Sequence, residues 1–156
     1  MADLGRPFRA SYLVRGSPPE KIFAALLDVQ RFPEWALGLR HARALDDAGR
    51  ETSVRPGARL EFTLSAAGLT HRVVSLVTVV EAPSRLEWRY TEGARGSGGW
   101  LLEEEGAHAA RLTLSTDYEV RPRWLDRLAH RPFFRGLTED LLGRSVRRFE
   151  RYLDSH

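Results

Sequence analysis

The chain has 156 residues, 42% of them hydrophobic and 29% charged, with no cysteine and a formal net charge of +3. Such a chain builds a single domain over residues 1–156 and buries a core without crosslinks. The same figures exclude collagen-like, low-complexity and disordered classes, a disulfide scaffold, a thiol nucleophile and any cysteine-ligated metal site.

No stretch approaches the ~18 consecutive apolar residues of a membrane span, and Met1 to Gly16 lacks the apolar core of a signal peptide. A cytoplasmic location is the expectation. The sequence pI is about 9.8, which invites a nucleic-acid reading. Almost all of the basic charge is arginine, with Lys21 the only lysine. From Arg121 onward there are nine Arg against five acids, so the excess belongs to the C-terminal segment.

Phe8 to Val14 reads as a strand that stops at Gly16. Ser17-Pro18-Pro19-Glu20 combines a capping-box pattern with proline at the first helical position. Ile22, Phe23, Leu26 and Leu27 then make one apolar helix face, closed by Asp28. Phe32-Pro33-Glu34-Trp35 is a tight turn or second short helix.

After Gly38 the period changes. Arg40 to Asp46 reads as a strand, Asp47-Ala48-Gly49-Arg50 as a turn, and Arg59 to Ser65 alternates with Leu60, Phe62 and Leu64 on one side. His71 to Val80 is a valine-rich run, broken by Pro83-Ser84. Leu86, Trp88 and Tyr90 alternate next, and Gly93 to Gly99 reads as a flexible hairpin loop leading into Trp100 to Glu105. Leu112, Leu114, Thr116, Tyr118 and Val120 complete an antiparallel meander that ends at Pro122. Trp124, Leu125 and Leu128 mark a helical turn or two, and Pro132 opens a long amphipathic helix through Leu153. The class is α+β: about six to seven strands, two short helices after the first strand, and one long helix at the end.

This order, with Ser17 to Phe23, Leu27-Asp28, Phe32-Pro33-Glu34-Trp35, Pro56-Gly57 and Ala82 to Leu86, resembles the START-like (SRPBCC) superfamily, especially its bacterial polyketide cyclase/dehydrase-type members. The resemblance covers nearly the whole chain. It implies a helix-grip fold, with a hydrophobic or amphipathic small molecule held between a curved sheet and the C-terminal helix. On that reading the ligand-binding residues are Phe62, Leu64, Trp88, Tyr90, Thr116, Tyr118, Phe134, Leu137 and Leu141. Pockets of this kind are mostly apolar with a few placed polar groups. Tyr90, Thr116 and Tyr118 supply them, while His71, near a strand start, reads as exposed.

The residues themselves show no enzyme signature, so no catalytic residue is assigned. The five histidines lack zincin spacing, no calcium loop appears, and Gly93 to Gly99 is neither a P-loop nor a dinucleotide fingerprint. No metal or cofactor is expected. Glu103-Glu104-Glu105 reads as a solvated hairpin, since neighbouring strand residues face opposite ways. If the chain is an enzyme, it is of the cyclase/dehydrase kind, with Tyr90, Tyr118 or His71 moving a proton. Arg144, Arg147, Arg148 and Arg151 share one helix face. They fit an RNA or an acidic membrane, or else the solvated side of a core-packed helix. The last reading is preferred, because no aromatic platform interleaves with them. The expected partner is thus a hydrophobic small molecule. Nucleic acid is disfavoured, peripheral membrane contact is left open, and the state is monomer or homodimer.

Overall fold

The computed structural model describes residues 8–66, 68–129 and 132–156, with the side chains of residues 66, 128, 129 and 132–139 outside that description. Seven strands form one antiparallel sheet: β1 (Phe8–Arg15), β2 (Leu39–Leu45), β3 (Arg59–Ala66), β4 (Leu69–Glu81), β5 (Arg85–Glu92), β6 (Ala94–Glu104) and β7 (Ala109–Val120). Their spatial order is β1-β7-β6-β5-β4-β3-β2. From β2 to β7 every neighbour in sequence is a neighbour in space. β1 closes the order by pairing with β7, Val14 opposite Ala110 and Phe8 opposite Thr116.

Helix α1 (Pro19–Leu27) and a 3₁₀ turn (Val29–Glu34) fill the link from β1 to β2. Pro19 occupies the first helical turn, where its missing N–H costs nothing. The expected capping box does not form. Pro18 is the N-cap and no side chain caps the helix. Ser17 is buried, and its Oγ has no partner among the described residues. Its backbone N–H and that of Gly16 instead bond the His108 carbonyl, at 3.1 and 2.8 Å. These bonds tie the chain entering the helix to the β6–β7 turn.

Helices α2 (Arg123–Ala129) and α3 (Pro132–Ser155) follow the sheet. At 1.5 Å per residue the 24 residues of α3 reach about 36 Å, enough to cross it. The C-terminal half of α3 is clamped. Phe149 packs on Trp35 with ring centroids 4.4 Å apart. Ser145 Oγ accepts the Leu37 N–H at 2.8 Å, and Glu150 accepts the Arg15 N–H at 2.7 Å. With Ile22, Phe23, Leu26 and Leu153, Phe149 forms a fully buried plug between α1, α3 and one end of the sheet.

The glycine-rich stretch is a correction. Only Gly93 is a turn residue; Ala94–Glu104 is a full strand inside the sheet. Its glycines are there for close approach. The Trp88 indole and Thr116 Oγ1 lie about where a Gly98 Cβ would need to be, 2.9 and 3.0 Å away. Gly96 has φ +111, and a Cβ there would run into the Asp117 carbonyl.

Candidate functional site

Registers decide which side chains share the concave face. Leu60 pairs with Ser75, Phe62 with Val73 and Leu64 with His71. Ser75 pairs with Tyr90 and Val77 with Trp88. Trp88 then lies opposite Gly98, and Gly98 opposite Thr116. Tyr118 sits opposite Gly96 on the same side. Phe62, Leu64, Trp88, Tyr90, Thr116 and Tyr118 are therefore brought onto one surface, as expected from their alternation.

That surface has two unlike ends. At the plugged end Leu60, Val77, Leu86, Leu102 and Leu112 are all at most 4% exposed. Toward the other end the same face opens. Trp88, Tyr90 and Tyr118 are half-buried, and Leu64 is 41% exposed although it points inward. Phe62 lies between the two ends, stacked on Phe32 at 6.1 Å with nearly parallel rings.

The polar groups of the open end are connected. Thr116 Oγ1 donates to the Ser97 carbonyl at 3.2 Å and is bonded to Tyr90 Oη at 2.8 Å. With the threonine proton so engaged, the tyrosine donates and its oxygen keeps free lone pairs. Tyr118 meets Tyr90 edge-on, ring centroids 6.5 Å apart. His71 Nε2 is 2.8 Å from the Gly93 carbonyl. A carbonyl only accepts, so Nε2 carries a proton and donates it. The expectation of a simply exposed His71 is thus corrected: it is half-buried and oriented by a backbone bond. The Gly93 carbonyl also takes the Arg121 N–H at 2.9 Å, joining this corner to the start of α2.

Two predicted residues, Phe134 and Leu137, lie outside the described residues, since only their backbone in α3 is given. Leu141 is partly buried, with its Cδ1 3.6 Å from the position a Gly38 Cβ would take. It thereby covers the start of β2, next to the Leu39–Leu64 pair. Trp100 was missed. It is half-buried and 6.5 Å from Trp88 between ring centroids. The glycines of residues 93–99 carry no alternation from which the register that puts it on this face could be read.

Two further hollows of about 580 Å³ each lie toward the convex side. One runs along Arg85, Glu87, Arg89, Ser115 and Asp117, and its lining reaches Trp88 and Thr116 at the glycines of β6. The other holds His41, Arg43, Glu61 and Arg72, where Glu61 pairs with Arg43 at 2.8 Å and Arg72 at 3.2 Å. Among the described residues no cluster of three His, Asp or Glu could hold a metal ion. At Tyr152, at the plugged end, burial and the Asp28 carboxylate raise the phenol pKa, and Arg31 opposes them.

The half-filled concave face under a long C-terminal helix is matched at the family level. A model described as polyketide cyclase / dehydrase and lipid transport matches residues 8–153. The chain belongs to that family. Family membership thus rests on almost the full length, from β1 to the last turn of α3. A search of curated proteins finds no match. Among solved structures, the Zhui aromatase/cyclase of a Streptomyces species is similar at TM-score 0.74 and 14% identity, covering 96% of this chain and 93% of that one. A protein of Thermus thermophilus aligns at TM-score 0.70 and 19% identity over 96% and 97% of the two chains. A START superfamily protein of Mycobacterium smegmatis aligns at 0.65 and 13% over 97% and 99%. At these identities the family's shared property is the helix-grip fold.

Proposed function

We propose that this protein binds a hydrophobic or amphipathic small molecule, lipid or polyketide-like, between the open end of the concave face and α3. The observation that carries the reading is the asymmetry of that face. One sheet surface, continuous in register, is packed shut at one end and leaves Leu64, Trp88, Tyr90 and Tyr118 incompletely covered at the other. Burying such apolar surface is worth about 25 cal/mol per Å², so a ligand that covers it gains affinity without new charge. The lone pairs left on Tyr90 Oη favour a ligand that brings a hydroxyl donor. Family membership supports the same reading, since lipid transport is part of the family's description.

The test is thermal unfolding with saturating long-chain alcohols, fatty acids and polycyclic phenols. A ligand at about 100 times its Kd adds about 2.7 kcal/mol and raises Tm by several degrees. Leu64→Trp fills the open end; it is expected to lower binding at least about tenfold while leaving the unliganded Tm unchanged, because residue 64 is exposed. No shift with any of these ligand classes would refute the proposal. Turnover of an aromatic polyketide mimic that is lost in Tyr90→Phe would move the reading to a cyclase/dehydrase.

A further inference from the structure

The basic excess can be located more finely than the C-terminal segment. Between Asp117 and Thr138 there are five arginines and three acids, Asp117, Glu119 and Asp126. From Glu139 to the end four arginines are matched by four acids. The α3 arginines are also partly engaged: Arg144 pairs with Asp140 at 3.4 Å, and Arg148 donates to the Glu34 carbonyl at 3.1 Å. The unbalanced charge thus belongs to α2 and its flanks, and the exposed face of the C-terminal half of α3 is near neutral.

On α2 stands Trp124, 60% exposed, whereas Trp35 is buried and Trp88 and Trp100 are half-buried against the core. Arg123 and Arg127 flank it, both exposed and neither with an ion-pair partner among the described residues. The acids nearby are committed elsewhere. Glu119 pairs with Arg121 at 3.1 Å, and Asp126 Oδ1 accepts the Val120 N–H at 2.8 Å. That bond anchors α2 to the end of β7 with Asp126 turned toward the protein. An exposed indole between exposed guanidinium groups matches a membrane interface: the ring prefers the headgroup level, and the arginines prefer anionic lipid.

We infer that α2 docks the protein on an anionic bilayer, with Trp124 seated in the interface and Arg123 and Arg127 on lipid phosphates. The position gives docking a purpose. Arg121, just before α2, shares the Gly93 carbonyl with His71, so the docked element adjoins the open end of the concave face. This extends the ligand-binding proposal by naming the surface from which the ligand is taken, but it is measured without any ligand.

The experiment is flotation of the full chain with vesicles of phosphatidylglycerol and phosphatidylcholine in equal parts, or of phosphatidylcholine alone. Binding is expected to the anionic vesicles only and to weaken as salt rises. Trp124→Ala should weaken it about tenfold, and Arg123→Gln with Arg127→Gln about fivefold per residue. Arg147→Gln with Arg151→Gln, exposed on α3, should weaken it clearly less than the Arg123 and Arg127 pair. Brominated lipid should quench part of the tryptophan emission in the parent and not in Trp124→Phe. Absence of anionic-vesicle binding, or binding that both α2 variants retain, overturns the inference. Tighter, Trp124-dependent binding to single-stranded RNA at the same salt overturns it in favour of nucleic acid. Dye displacement by a soluble ligand should be unchanged in Trp124→Ala, so failure of docking is distinguishable from failure of ligand binding.

Discussion

Tyr152 shows how one residue can report on the plugged end. Its ring stacks on His156 with centroids 4.1 Å apart, and its phenol is held above the ordinary value of 10.0 by burial and by Asp28. A raised folded-state value means that the native chain keeps this proton longer than the unfolded chain. The contribution is complete below about pH 10 and is lost as pH climbs through the raised value. Tyr152→Phe is therefore expected to flatten part of the decline in urea-unfolding stability above about pH 10. An unchanged decline would show that Tyr152 titrates alike in both states. Nothing in the sequence announces this shift, because Asp28 and Tyr152 meet only when α3 packs beside the 3₁₀ turn.

At the scale of elements, β6 is the instructive case. Alternation made β3, β5 and β7 legible, including the shared side of Leu60, Phe62 and Leu64 and that of Leu86, Trp88 and Tyr90. The glycines of β6 carry no such signal, and composition alone pointed to a loop. They are required by the neighbours: the Trp88 indole crosses Gly98, and the Leu86 carbonyl comes within 2.9 Å of where a Gly99 Cβ would stand. Gly98→Ala is expected to cost about 1–3 kcal/mol, since Trp88 and Thr116 must shift to admit one methyl. Urea unfolding checks this, and a stability equal to the parent's would mean that Trp88 repacks freely. The same substitution should disturb the Tyr90–Thr116 bond and with it the candidate site.

The whole molecule divides into a plugged end that holds it together and an open end with little to hold. Phe149→Ala removes a ring that is 1% exposed and is expected to cost about 3–5 kcal/mol. Leu64→Ala, on the same side of the sheet, should cost under about 1 kcal/mol, because water already reaches residue 64. Equal losses in denaturant unfolding would contradict the division. No helix among the described residues is long and apolar enough to cross a membrane.

Local periodicity is a property of neighbouring residues, and so the order of strands and helices, the α+β class and most of the concave-face set were determined by the sequence alone. What joins residues far apart was not. Leu37 bonds Ser145 across 108 positions, and Arg15 bonds Glu150 across 135. Those contacts, with the packing of α1 and α3, decide that one end of an alternating face is sealed and the other left half-covered. The basic pI is divided in the same way. Its sum is a matter of composition, but packing decided that Arg148 is tied to the 3₁₀ turn while Trp124, Arg123 and Arg127 stay exposed. Burial and pairing depend on which surfaces meet, and only the folded chain brings those surfaces together.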